Sequence, residues 1–278
     1  MPTMRVAGRL AAVLTTAALP RARALRGGAG ESAAMRLVVH HVGLAELAVP
    51  TARDAAITLY TPACADRLLD AYVEHEEAFG GRTPYYGVVW PAAVGLARDL
   101  GARGRVADGD AVLELGAGLG LCGIAAALTG RAARVTLVDH DPVAVELGLA
   151  SAVENGVGHL VDSAQLDWTE PHRWPAHEYS LVVAADVIYE AGAAEHVAAV
   201  VRRVLRPDGR FVLADLATRP FRPRLREAML ACGFAPEGVR EAERVVPTEW
   251  EGRTHDVVLS SFRRTARLGD HQEVRSLR

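Results

Sequence analysis

Ala111-Val112-Leu113-Glu114-Leu115-Gly116-Ala117-Gly118-Leu119-Gly120 is the stretch that decides the fold. Residues 111–115 read as a buried strand, the glycines as a tight turn and 121–128 as a helix. Glycine adopts positive φ without a steric cost and lets backbone N–H groups approach a ligand at a helix N-terminus. Asp139 follows Gly116 by 23 residues, at the end of the next predicted strand, 134–139. A carboxylate in that place can accept both hydroxyls of a ribose. Strand, turn, helix and strand-end acid together imply a cofactor that contains adenosine. Gly118-x-Gly120-x-x-Gly123 also satisfies the dinucleotide fingerprint, so NAD is an alternative at this point.

Outward from this unit the chain alternates. A helix is expected over 142–154, started by Pro142 and stopped near Asn155-Gly156. Strands are expected over 180–185 and 210–215, helices over 193–205 and 222–231, and a last strand over 252–264. Strands alternating with helices imply an α/β, Rossmann-like, doubly wound and mostly parallel sheet of seven strands, the last antiparallel. Before it, 36–41 and 55–60 look β-like, and a helix over 64–79 ends at Gly80-Gly81. The expected organisation is an extension at 1–34, a cap at 35–83, the main domain at 84–264 and a flexible tail at 265–278. The extension carries five arginines against one acid, with a short apolar run at 10–19. It reads as a targeting segment, a disordered extension or an overlong reading of the gene, with Met35 as the true start.

The composition removes several chemistries. Of 278 residues none is lysine, and all 31 basic side chains are arginine. P-loop phosphate binding, Schiff-base catalysis and Tyr-x-x-x-Lys hydride chemistry all need a lysine amine. A formal charge of −3 gives no footprint for nucleic acid. Cys64, Cys122 and Cys232 are odd in number and far apart, so neither disulfides nor a zinc site is expected, and a reducing compartment is the default. The ten histidines show no metal-ligand spacing. No metal, nucleic-acid or membrane partner is expected.

Three features favour S-adenosylmethionine over NAD. Glu114, inside the turn, would repel a pyrophosphate but attract a methionine ammonium. Leu166-Asp167-Trp168 falls where a third strand should end, offering a carboxylate and an aromatic wall to an adenine. The strand 180–185 runs into Asp186-Val187-Ile188-Tyr189, an acid and a phenol at the sheet edge where ligands of such folds bind.

Together with Leu205-Arg-Pro-Asp-Gly-Arg-Phe211, these motifs resemble the seven-strand class I S-adenosylmethionine-dependent methyltransferases. Tyr85-Tyr-Gly-Val-Val-Trp90-Pro-Ala-Ala93, Leu166-Asp-Trp168 and the Asp-x-x-Tyr step are similar to family 16, which includes many protein-lysine methyltransferases. The likeness runs from Thr83 to Arg264. It implies methyl transfer to a nitrogen nucleophile, with a protein lysine as the leading acceptor. The alternatives are a small-molecule N- or O-methyltransferase and a non-catalytic S-adenosylmethionine-binding module.

The resemblance also implies placements. Trp90 would pack on the cofactor, Gly116, Ala117, Gly118 and Gly120 would bind it, and the Gly116–Gly118 backbone would line its methionine and ribose. Asp139 would hold the ribose, although Asp141 puts a second carboxylate nearby. Trp168, beside Asp167, would flank the adenine, and Ala185 would touch the cofactor at the lip of the acceptor site. Asp186 and Tyr189 would face the nucleophile, Asp186 aiming the amine and Tyr189 walling the channel. Trp174 and Trp250 read as packing. A cytoplasmic monomer acting on a protein substrate is the expectation. Having no lysine, it would not methylate lysine side chains of its own.

Overall fold

The computed structural model describes residues 32–51, 55–237 and 243–265. The expectations for residues 1–31 and 266–278 lie outside them. The first element, α1 (Ala33–His41), corrects the β-like reading of 36–41. The Ser32 hydroxyl accepts from the Met35 amide at 3.0 Å and caps the helix. Ala34, Met35 and Val38 are buried on one face, a helical spacing that a six-residue window disguised. The His40-His41 pair therefore sits at a helix end rather than on a strand. β1 (Leu44–Pro50), which no pattern announced, pairs with β2 (Ala56–Pro62) as a separate antiparallel hairpin. The expected helix over 64–79 is two pieces, α2 (Ala65–Glu74) and α3 (Glu76–Phe79), closed by left-handed Gly80.

α4 (Pro91–Ala102) leads into the main sheet. There β3 (Asp110–Leu115), α5 (Leu121–Leu128), β4 (Ala132–Asp139), α6 (Pro142–Glu154), β5 (Val161–Gln165) and β6 (Tyr179–Ala185) follow in turn. α7 (Ala193–Val204), β7 (Leu205–Leu216), α8 (Arg222–Ala231), β8 (Phe234–Pro236), β9 (Glu243–Trp250) and β10 (Arg253–Arg264) complete it. The strand order is β5-β4-β3-β6-β7-β10-β8, with β9 also on β10. The first five strands are parallel and β10 is antiparallel to β7. The sheet has eight strands where seven were expected, because the far edge is shared by β8 and β9. β7 begins at Leu205, so Pro207-Asp208-Gly209 lies within its span, at a register shift against β6.

Every residue of β3 is buried. Val112 joins the hydrophobic cluster under α4, α5 and α6, whereas Ala111, Leu113 and Leu115 join the one under α7 and α8. A strand covered on both faces shows no alternation in its sequence, which is why 111–115 reads as one unbroken run. Residues of the expected cap, among them Met35, Leu44, Leu59 and Leu68, belong to the same cluster as Val112. Buried polar contacts anchor them further: the Tyr60 amide donates to Ser151 Oγ at 2.9 Å, and the Tyr72 hydroxyl donates to Asp141 Oδ2 at 2.8 Å. The segment is thus built into the flank of the sheet beside α6.

Candidate active site

The strand order reverses at β3, and there the carboxyl ends of β3, β4 and β6 open into a cleft of about 340 Å³. Ligand sites of open α/β sheets form at such a switch point. The cleft is lined by Trp90, Glu114, Gly116, Ala117, Gly118, Asp139, Asp167, Trp168, Ala185, Asp186 and Tyr189, all expected from the sequence. Gly120 is the exception. It stands behind the turn as the residue before α5, packed toward Leu137, and does not line the cleft.

Local chemistry explains the turn. Gly116 has φ +65°, and a Cβ there would come within 2.7 Å of Val187 and 3.3 Å of Trp168. Gly123 lets the first turn of α5 sit against β4, since a Cβ would lie 2.3 Å from Leu137. That close seat brings Glu114 beneath the helix N-terminus, where it accepts from the Cys122 amide at 3.2 Å and the Gly123 amide at 2.7 Å. Burial pushes the Glu114 carboxyl up to about 7, against the opposing pull of those donors. Its first duty is to cap α5, which the expected attraction of an ammonium did not anticipate.

The two acids after β4 part company. Asp141 is buried; it caps α6 through the Val143 amide at 2.9 Å and accepts from Tyr72. Asp139 braces the turn instead, accepting from the Gly118 amide at 2.8 Å and the Asp141 amide at 3.0 Å. Asp167 accepts from the Thr169 amide and hydroxyl at 2.8 and 2.7 Å. Burial opposes its ionisation, but the Thr169 bonds outweigh it and hold the carboxyl below the usual range. The backbone carbonyl of Asp167 accepts from Trp174 Nε1 at 2.8 Å, which ties this loop to the core.

The Tyr189 ring lies 5.1 Å from that of Tyr85 and 6.3 Å from that of Trp168. Burial, with Glu190 and Asp139 adding to it, keeps the phenol protonated, which fits a wall rather than a base. Asp186 adopts φ +58°, and its carboxylate is only 1% exposed. Arg219 grips it in a fork, Nε to Oδ1 at 2.6 Å and Nη2 to Oδ2 at 2.7 Å, and lies over the Trp90 ring at 5.5 Å. Sequence reasoning missed Arg219, which stands 33 residues away in a chain rich in arginine. Among the described residues, no group of three or more His, Cys, Asp or Glu is placed to hold a metal, and no helix is long and apolar enough to cross a membrane.

Beside this pair lies a second acid that no motif marked. Asp215, on β7, is fully buried, and neither of its oxygens has a well-formed hydrogen bond. Burial pushes its carboxyl up to about 8, Asp186 adding to the rise and Arg219 and Arg222 opposing it. A folded-state pKa above the unfolded value means that the native state binds the extra proton. The stability this carries is complete below the unfolded value of 3.8 and is lost as pH rises through about 8. Asp215→Asn, which cannot ionise, should therefore gain stability relative to wild type as pH rises from 5 to 8. Thermal unfolding at the two pH values checks this; equal destabilisation at both would contradict it.

A lysine methyltransferase family model matches residues 79–223, just over half of the chain. Protein N-lysine methyltransferase METTL21A of Danio rerio is 43% identical over 107 residues, covering 37% of this chain and 47% of that protein. Electron transfer flavoprotein beta subunit lysine methyltransferase of Xenopus laevis is 32% identical over 165 residues, covering 59% and 63%. The chain thus spans less than two thirds of either relative. The structure described as "Conversion of a Disulfide Bond into a Thioacetal Group during Echinomycin Biosynthesis" superposes with a TM-score of 0.52 at 19% identity, over 77% of this chain and 98% of that one, and shares the fold alone. With its matched region spanning the turn, the strand-end acids and the Asp186–Tyr189 step, the chain belongs to the lysine methyltransferase family.

Proposed function

We propose that the protein transfers a methyl group from S-adenosylmethionine to the side-chain amine of a lysine in another protein. The observation that carries this reading is the lining of the cleft: six carboxyl side chains, from Glu114, Asp139, Asp141, Asp167, Asp186 and Glu190, and no arginine. Such a wall disfavours a pyrophosphate and suits a ligand bearing a sulfonium and an ammonium. The cofactor would supply an electrophilic methyl, whose bond to sulfur breaks as the carbon–nitrogen bond forms, sulfur keeping the electron pair and the amine's spare proton passing to water.

The residues of the chain provide position and electrostatics, the two levers open to an in-line displacement. Trp90 and Trp168 would hold the cofactor between rings, the Gly116–Gly118 backbone would approach its methionine end, and Asp139 would take the ribose. Asp139 suits that role better than Asp141, which is spent on Tyr72 and the cap of α6. Ala185 would mark the lip, Asp186 would accept a hydrogen bond from the incoming amine, and Tyr189 with Tyr85 would wall its channel. We read the protein as cytoplasmic, on its three free cysteines. Radiolabelled S-adenosylmethionine incubated with the protein and a cell lysate should put label into the protein fraction, on lysine after hydrolysis. Label in small metabolites, or binding without transfer, would overturn the proposal.

A further inference from the structure

A carboxylate at an amine-methylating site poses a physical problem. Attack requires the neutral amine, yet an uncompensated anion within about 4–6 Å stabilises the ammonium, typically by 1–3 pKa units. In this chain the carboxylate is not uncompensated. Both Asp186 oxygens are engaged by the Arg219 fork, and Arg219 is held in turn above the Trp90 ring. Arg219 is not among the residues that line the cleft, although its side chain keeps 23% exposure against 1% for Asp186. We propose that Arg219 is a positioning residue that cancels the charge of Asp186, so that the acceptor amine meets a fixed hydrogen-bond acceptor with no net anion beneath it.

The charged and titratable groups around the pair are Asp215, Arg222 and Tyr189. Burial holds Tyr189 protonated and favours the neutral form of Asp215 at neutral pH, and the fork of Arg219 is spent on Asp186. Arg222 has a partner of its own, Glu243, at 3.2 Å. A bidentate pair retains carboxylate lone pairs that can still accept from an amine N–H. The arrangement reconciles aiming the nitrogen with not trapping it as a cation.

The inference rests on the reading of Asp186 as the acceptor's contact, and a ligand pair that needs no acceptor protein tests it. Sinefungin carries an ammonium where S-adenosylmethionine carries its methyl, and S-adenosylhomocysteine carries nothing there. The ratio of their affinities, measured by calorimetry from pH 6.5 to 9, reports the charge at the acceptor end. Arg219→Met should raise the preference for sinefungin about tenfold at pH 7.5, by the loss of one compensating charge. Arg219→Lys, which keeps the charge, and the double variant Asp186→Asn/Arg219→Met, which removes both, should stay near the wild-type ratio. An unchanged ratio in Arg219→Met across that pH range would overturn the proposal. Loss of S-adenosylhomocysteine binding in a folded Arg219→Met protein would also overturn it, showing that Arg219 merely supports the Trp90 wall. A wild-type protein that binds neither ligand would instead bring down the cofactor reading itself.

Discussion

Asp186→Asn should lower methyl transfer about 100-fold, the scale on which a single preorganised polar group acts in a water-excluded site, while S-adenosylmethionine affinity stays within about threefold. The substitution is mild in shape. Asparagine tolerates the left-handed backbone that Asp186 adopts at φ +58°, so the turn after β6 should hold. What disappears is the bidentate pair with Arg219, and with it the fixed direction of the oxygen that receives the amine. Arg219 retains 23% exposure and can turn to solvent, so the change does not strand a buried cation. The measurement is labelled transfer to the acceptor that the lysate experiment yields, with calorimetry on the same preparation. Turnover within threefold of wild type at unchanged cofactor affinity would remove Asp186 from the chemistry.

Trp174→Ala should cost roughly 3–5 kcal/mol, the range for deleting a large buried aromatic side chain. Trp174 is 1% exposed and belongs to the cluster beneath α7 and α8, against which Leu166 and Trp168 also pack. Its indole also donates to the Asp167 carbonyl at 2.8 Å, so the loss reaches the wall of the cleft as well as the core. Thermal unfolding should fall by about 10 °C, at roughly 2–4 °C per kcal/mol for a chain of this size, and cofactor affinity should weaken with it. Trp174→Phe keeps most of the packing and forfeits the hydrogen bond, so it should cost only about 1 kcal/mol while still loosening the Asp167–Trp168 loop. A melting temperature for Trp174→Ala within 3 °C of wild type would contradict this account.

These two sites differ in how they could be read beforehand. Asp186 stands at the end of a strand whose apolar run is visible, so its place at the sheet edge follows from local pattern. Trp174 reads as packing, yet its bond to Asp167 joins residues on either side of a short turn at Pro171–Arg173 that carries no periodicity. The same contrast holds along the chain. Residues 121–128, 142–154 and 222–231 read as helices because caps, prolines and turn residues act within one or two turns. Residues 36–41 read as β-like because six residues hold too little of a 3.6-residue period to separate a helix from alternation, whereas α1 is fixed by Ser32 and by burial against partners far along the chain.

The amino-acid sequence by itself determined the parallel sheet, the glycine turn at its switch point and the acids near the ends of β3, β4 and β6. Each is written in neighbouring residues: buried apolar runs, glycines that admit positive φ, and carboxylates at or beside the end of a strand. Only the tertiary structure decided what those acids do. It spends Asp141 on Tyr72 and the α6 cap, turns Glu114 beneath α5, and clamps Asp186 with an arginine from beyond β7. The partners lie 69, 9 and 33 residues apart, and a pairing that chain folding alone creates leaves no local period to read.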